Sequence, residues 1–171
     1  MSSLDIRRTT SADLDDLARV LTHVHEVDGY PVEGVNDPRS WLTLTNPIGQ
    51  WTALLDGHAV GHVGLASPTA EDVAPHLLSQ QESLSIDDMA VLVRLFVDPA
   101  ARGGSIATRL ISTAVSEAGE LGLWTTLDVM EKDRAATRLY EALGWRKIGN
   151  FNHAFDGGSV PAIAMRAPRS H

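Results

Sequence analysis

At 171 residues, 43% hydrophobic and 21% charged, the chain is long enough to bury a core and has the composition of a folded protein, not of a disordered or fibrous one. Its formal net charge of −8 argues against a nucleic-acid surface, which needs clustered Lys and Arg to neutralise phosphates. With no cysteine there is no disulfide, no thiolate catalysis and no Cys-ligated zinc.

The opening stretch MSSLDIRRTT has no apolar run behind its charges, and no apolar segment approaches about 20 residues, so a cytoplasmic protein without a membrane span is expected. Residues 4–10 alternate as a short strand does. They lead into TSADLDDLARVLTHVHEV, where Leu14, Leu17, Ala18, Leu21, Val24 and His25 recur at helical spacing. Thr10 or Ser11 can cap that helix, and Asp13, Asp15 and Asp16 suit its positive end. A second short helix is expected over residues 37–45, with Pro38 in its first turn. Strands over 50–56 and 58–67 follow, joined by Asp56-Gly57, a strong hairpin signal. The polar stretch after them carries only a weak helix signal, around Pro75 to Gln81. Next come a strand over 91–97 (VLVRLFV), a helix from about Gly104 to Glu120, a strand over 124–130 and a helix over DRAATRLYEALGW stopped by Gly144. A final hairpin turns at Asp156-Gly157-Gly158. Without repeats or linkers, the order β-α-α-β-β-β-α-β-α-β-β describes one domain over 1–171, a mixed sheet with helices packed on it.

The stretch VDPAARGGSIATRL sits between a buried strand and a helix. The opening amides of that helix lack intrahelical acceptors and, with the helix dipole, can seat an anion such as pyrophosphate. Gly103 and Gly104 let a bulky ligand meet the backbone, and Arg102 adds a planar cation suited to phosphate oxygens. Neither a Walker loop nor a Rossmann loop is present, because the Gly-Lys-Ser/Thr ending and the Gly-x-Gly-x-x-Gly spacing are both missing. An ordinary helix start is the alternative reading.

Downstream, LDVMEKDRAATRLYEALGW runs from a strand through a helix bearing Leu139-Tyr140 to Leu143-Gly144-Trp145 and another strand. Together the two segments resemble the GCN5-related N-acetyltransferase superfamily, with its Arg/Gln-x-x-Gly-x-Gly/Ala signature at Arg102 to Ala107. The later Asn-x-x-Ala-x-x-Leu-Tyr-x-x-x-Gly-Phe motif falls at Asp133 to Trp145. The likeness extends over nearly the whole chain in element order. It implies an α/β fold with a mostly antiparallel mixed sheet of six to seven strands flanked by helices, and a splayed strand pair holding the cofactor. Three positions depart from the pattern. Ser105 stands where the superfamily prefers glycine, Asp133 replaces asparagine and Trp145 replaces phenylalanine. Serine tolerates helical dihedrals, and its hydroxyl would lie near a phosphate.

The resemblance implies direct transfer of an acetyl group from acetyl-CoA to a primary amine in a ternary complex. The co-substrate would be bound by Leu95, Phe96, Val97, Arg102, Gly103, Gly104, Ser105, Ile106, Ala107, Thr108, Asp133, Ala136 and Tyr140, with no metal. Backbone groups of Leu95 and Val97 would take the pantetheine, and Tyr140 matches a tyrosine that protonates the departing thiolate. Asp128 matches a glutamate base in relatives that acetylate ribosomal-protein N-termini, against an alternative role in pairing with a neighbouring strand. Glu131 and His62 are weaker base candidates. No metal is expected at the histidines: His23 and His25, two apart in a helix, point to different faces, and His58 with His62 lack a third ligand at a recognisable spacing.

Residues 40–93 hold no Lys or Arg but include Asp56, Glu71, Asp72, Glu82, Asp87 and Asp88. An acidic lining there would draw in a cationic amine, such as a polyamine, an aminoglycoside-like compound or a basic peptide. A solvated acidic surface is the plainer reading. Trp41 is a further candidate for the acceptor site. Expected partners are thus a small-molecule amine, a peptide N-terminus or a lysine, with no nucleic acid and no membrane, and a homodimer is left open. Another acyl group, or a CoA-binding sensor with little catalysis, is the alternative.

Overall fold

Alternation at the N-terminus produces strand β1 (Leu4–Arg8), which pairs antiparallel with β2 (Pro47–Leu55) so that Ile6 faces Ala53. The computed structural model describes residues 3–32, 34–103 and 105–169. After a single 3₁₀ turn at Ser11–Asp13 comes α1 (Leu14–Asp28), whose helical stripe Leu17, Val20, Leu21 and Val24 is buried. Gly29 ends it at φ 71°, with its N–H donating to the His25 carbonyl at 2.8 Å, the left-handed cap that glycine takes without a Cβ clash. Helix α2 (Pro38–Trp41) is short, and the Asp37 side chain accepts from the Ser40 amide at 3.2 Å.

Strands β2 and β3 (His58–Ala66) meet at Asp56 (φ 51°) and Gly57 (φ 84°), both left-handed as a two-residue I′ turn requires. Helix α3 (Val73–Glu82), strand β4 (Met89–Val97), helix α4 (Ile106–Glu120), strand β5 (Trp124–Met130) and helix α5 (Arg134–Ala142) follow. The chain closes with β6 (Arg146–Phe155) and β7 (Gly158–Arg166), where Phe155 faces Gly158 across the tight turn. The strands form one seven-stranded sheet in the order β1-β2-β3-β4-β5-β7-β6. It is mixed: β4 and β5 run parallel, while β1–β2, β5–β7 and β6–β7 run antiparallel. This is the expected α/β class at the upper strand count. The expected element order needs one addition, α3, a full helix where only a weak signal was present.

The chain groups into two units, Met1–Leu65 with Val93–Ala114, and Ala66–Leu92 with Val115–His171. In the first, Leu17, Val20, Leu21, Val24, Leu42 and Phe96 form a core against which Tyr30 and Trp41 pack. The Arg7 guanidinium holds Asp13 by two bonds of 2.8 and 2.9 Å, and the Thr10 amide donates to the same carboxylate at 2.8 Å. That pairing pulls the Asp13 pKa down to about 2. In the second unit α3 packs on β5, β6 and β7. At Gly149 the approach is close: a Cβ there would lie 2.8 Å from Leu77 Cδ1, so that side chain would have to move.

Candidate active site

The predicted cofactor residues of the first unit follow one another along β4, the loop and α4. Phe96 and Val97 are buried at the end of the strand, and Leu95 is half-buried. The strand ends at Asp98, whose amide donates to the Val60 carbonyl at 2.7 Å and whose Oδ1 accepts from the Ala100 amide at 3.0 Å. These bonds fix a 3₁₀ turn over Pro99–Ala101 and deliver the chain to Arg102 and Gly103. Gly103 lies at φ 92°, and a Cβ there would meet nothing within 4 Å. Its constraint is therefore conformational rather than spatial.

Gly104 lies outside the described residues. Ser105 lies at φ 66°, which corrects the expectation of helical dihedrals at this serine. The left-handed region costs an L-residue roughly 1–2 kcal/mol and is free to glycine, so the serine occupies a backbone state shaped for the glycine it replaces. The Ser105 carbonyl accepts from the Arg109 amide at 3.0 Å, making it the residue that opens α4. Ile106 is buried beneath the helix start, Ala107 and Thr108 are half-buried, and Gly103 and Ser105 are exposed. The backbone at the helix start thus faces solvent where an anion can reach it. Arg102 is also exposed but already engaged: its Nη2 lies 2.5 Å from Asp28 Oδ2 and its Nε donates to the Val97 carbonyl at 3.3 Å. Nothing in the spacing pointed to Asp28, which reaches the loop from the end of α1.

His62 of the first unit is fully buried and saturated. Its Nδ1–H donates to the Arg94 carbonyl at 2.8 Å, which leaves Nε2 to accept from Gln50 Nε2 at 3.1 Å. Burial lowers its pKa to about 4. His62 is therefore a neutral structural histidine at physiological pH.

In the second unit, Asp128 on β5 is half-buried, and its carboxylate reaches the start of α3. Oδ2 accepts from the Val73 amide at 3.1 Å and Oδ1 from the Ala74 amide at 2.9 Å. Burial nevertheless raises its pKa above the usual carboxylate value, against those two bonds. Its structural partner is a helix N-terminus rather than a neighbouring strand. Asp133 precedes α5, its carbonyl accepting from the Thr137 amide at 3.1 Å and its Oδ1 lying 3.2 Å from Lys132 Nζ. Ala136 is half-buried on α5. Tyr140 is 5% exposed, with its ring 5.3 Å from that of Trp145. Gly144 turns the chain at φ 92° between them, so the Leu-Gly-Trp segment seats the aromatic that packs Tyr140.

Of the acidic residues before β4, Asp56 accepts from the Ser3 amide at 2.8 Å and Asp72 from the Thr69 amide at 2.7 Å. Asp56 thus ties its turn to the segment before β1, and Asp72 serves a local turn. Among the described residues no group of three or more His, Asp or Glu side chains could hold a metal ion, and no helix is long and apolar enough to cross a membrane.

The strand–loop–helix with its left-handed residues and the tyrosine helix with its Leu-Gly-Trp return carry the two sequence motifs. A model of the acetyltransferase (GNAT) family matches residues 14–145, and the chain belongs to that family. Solved structures share the fold at low identity. The ribosomal-protein-S18-alanine N-acetyltransferase of Escherichia coli is 17% identical over 99% of this chain and 96% of that one, with TM-score 0.72. Arabidopsis thaliana NAA60 in complex with a bisubstrate analogue is 18% identical over 96% of this chain and 97% of its own, with TM-score 0.74. YncA of Salmonella typhimurium with its cofactor acetyl-CoA is 15% identical over 99% and 95%, with TM-score 0.72. No curated protein matches the chain.

Proposed function

We propose that the protein is an N-acetyltransferase that moves an acetyl group from acetyl-CoA to a primary amine of a small molecule or peptide, by direct transfer in a ternary complex. The observation that carries this reading is the left-handed backbone at Gly103 (φ 92°) and Ser105 (φ 66°) opening α4 within the family's cofactor signature. Neighbours of the same fold were solved with acetyl-CoA, and the exposed helix start fits a pyrophosphate by the same backbone logic. Bound acetyl-CoA supplies an activated acyl thioester.

The chain's own residues supply the rest. Amides at the opening of α4 hold the pyrophosphate, with Arg102 released from Asp28 to join them. Backbone groups of Leu95 and Val97 hold the pantetheine, and an amide of β4 polarises the thioester carbonyl. Tyr140 donates a proton to the departing sulfur. Asp128, its pKa raised by burial, accepts a proton from the acceptor's ammonium, directly or through water, and so frees the neutral amine to attack. A carboxylate perturbed in that direction is better matched to neutral-pH proton transfer than an ordinary one. The reaction is cytoplasmic on this reading.

The test is thiol release from acetyl-CoA across a panel of primary amines, with mass spectrometry of the acetylated product. Turnover on at least one amine is expected. Arg102 held by Asp28 favours a second reading, a CoA-binding sensor, and tight cofactor binding without turnover on any amine would select it.

A further inference from the structure

Four of the other arginines, Arg7, Arg19, Arg39 and Arg102, each pair with an aspartate. Arg94 does not. Among the described residues no carboxylate pairs with it, and its Nε is buried without a hydrogen-bond partner. Its guanidinium sits over Trp41 of the first unit's aromatic cluster, with Cζ 4.5 Å from the centre of that ring. Trp41 is itself wedged edge-on against Tyr30 at 5.8 Å and tilted on Phe96 at 6.0 Å, and Phe96 stacks on His62 at 5.5 Å. The backbone of Arg94 is pinned as well, at φ 57° with its carbonyl taking the His62 Nδ1–H bond at 2.8 Å.

A half-buried guanidinium with incomplete hydrogen bonding is an expensive feature to maintain, and so is a bulky residue in the left-handed region. The contact with Trp41 neutralises no charge and satisfies no donor; it holds the fork in place over the ring. A planar, oriented fork with free capacity matches a carboxylate, which accepts two parallel N–H bonds. The opposite electrostatic choice is absent here. The neighbouring titratable group is His62, neutral and holding its own bonds, and Arg94 is the first cation after residue 39. Arg94 also lies one residue from Leu95, whose backbone is assigned to the pantetheine above.

We propose that Arg94, shelved on Trp41, recognises a carboxylate on the acyl acceptor, so that the substrates are amines carrying an acid group, of the amino-acid type, and not polyamines. This rests on the acetyltransferase reading and deepens it by naming the acceptor class. It replaces the attraction expected from the acidic stretch before β4, two of whose carboxylates, Asp56 and Asp72, are occupied by backbone amides.

The experiment uses a set of amino acids, each paired with its own amide, so that the amine is kept and the acid removed. Acceptor binding is read by NMR saturation transfer in the presence of CoA, and transfer by thiol release. The wild-type protein is expected to bind and use the acids at least tenfold better than the amides. Arg94→Gln should lose that tenfold through KM on the acids while changing less than twofold on the amides, with acetyl-CoA affinity unmoved. Arg94→Lys, which keeps the charge and the stem but not the planar fork, should fall between them and guards against a folding defect in the first variant. Equal or better binding of the amides by the wild type, or equal losses on both members of each pair in the variants, would overturn the proposal. Absence of acetyl-CoA binding would instead overturn the acetyltransferase reading, and the acid-to-amide ratio in the binding experiment would still decide the role of Arg94.

Discussion

Ser105 concentrates the departure of this chain from its family into one backbone angle. At φ 66° it is strained by the amount that glycine avoids, and part of that returns through the lower entropy of the unfolded serine chain. Ser105→Gly should therefore stabilise the protein by about 0.5–1 kcal/mol, read as a rise of roughly 1–4 °C in Tm, and should tighten acetyl-CoA by removing a Cβ from the loop. An unchanged affinity would mean that the serine side chain stands clear of the cofactor. Gly103→Ala runs the other way. With φ 92° and open space around it, the variant is strained without a clash, so it should lose stability and cofactor affinity together. Tyr140→Phe keeps the packing on Trp145 and removes only the hydroxyl. A fall of about 100-fold in kcat with little change in acetyl-CoA affinity is expected for a proton donor, and equal activity would remove Tyr140 from that role. The sequence marked these residues because motif spacing is local, whereas the pairing of Asp28 with Arg102 and of Trp41 with Arg94 joins distant segments and leaves no such mark.

At the scale of elements, β4 is tied to its surroundings by a histidine that must stay neutral. His62 has its pKa lowered to about 4 by burial. Since this is a folded-state value below the ordinary 6.5, the unfolded chain takes up the proton first as pH falls. Stability is full above about 6.5 and declines toward pH 4, by at most about 3 kcal/mol. Urea unfolding at pH 7 and pH 4.5 should show that loss, and His62→Gln should flatten it. The Asp13 contribution, with a pKa lowered to about 2, is present above the ordinary carboxylate value and disappears only in a lower window, so the two can be read apart. Helix α3 shows why one element escaped the sequence. Its first two free amides are satisfied by Asp128, more than fifty residues away, so no local cap announces it. The Asp56-Gly57 turn was legible for the opposite reason, since both left-handed residues stand side by side in the chain. Asp128→Asn should loosen α3, because an amide nitrogen cannot accept the second N–H. If Asp128 is also the base, the variant should lose the acid limb of the kcat/KM profile, a limb lying above the usual carboxylate range because burial raises this pKa. A stability loss with an unaltered profile would leave it a helix cap alone.

For the whole molecule, strand alternation, helical stripes and turn residues carried the sheet and four of its helices, and two motifs carried the family. What they did not carry is the acceptor, since the contact of Arg94 with Trp41, from which the proposed acceptor class is argued, is set by packing and not by period. Everything proposed about transfer depends on the cofactor loop. Calorimetric titration of the protein with acetyl-CoA tests it most directly. Saturable binding at one site per chain is predicted, weakened by Gly103→Ala and strengthened by Ser105→Gly. No binding at millimolar acetyl-CoA would contradict the account.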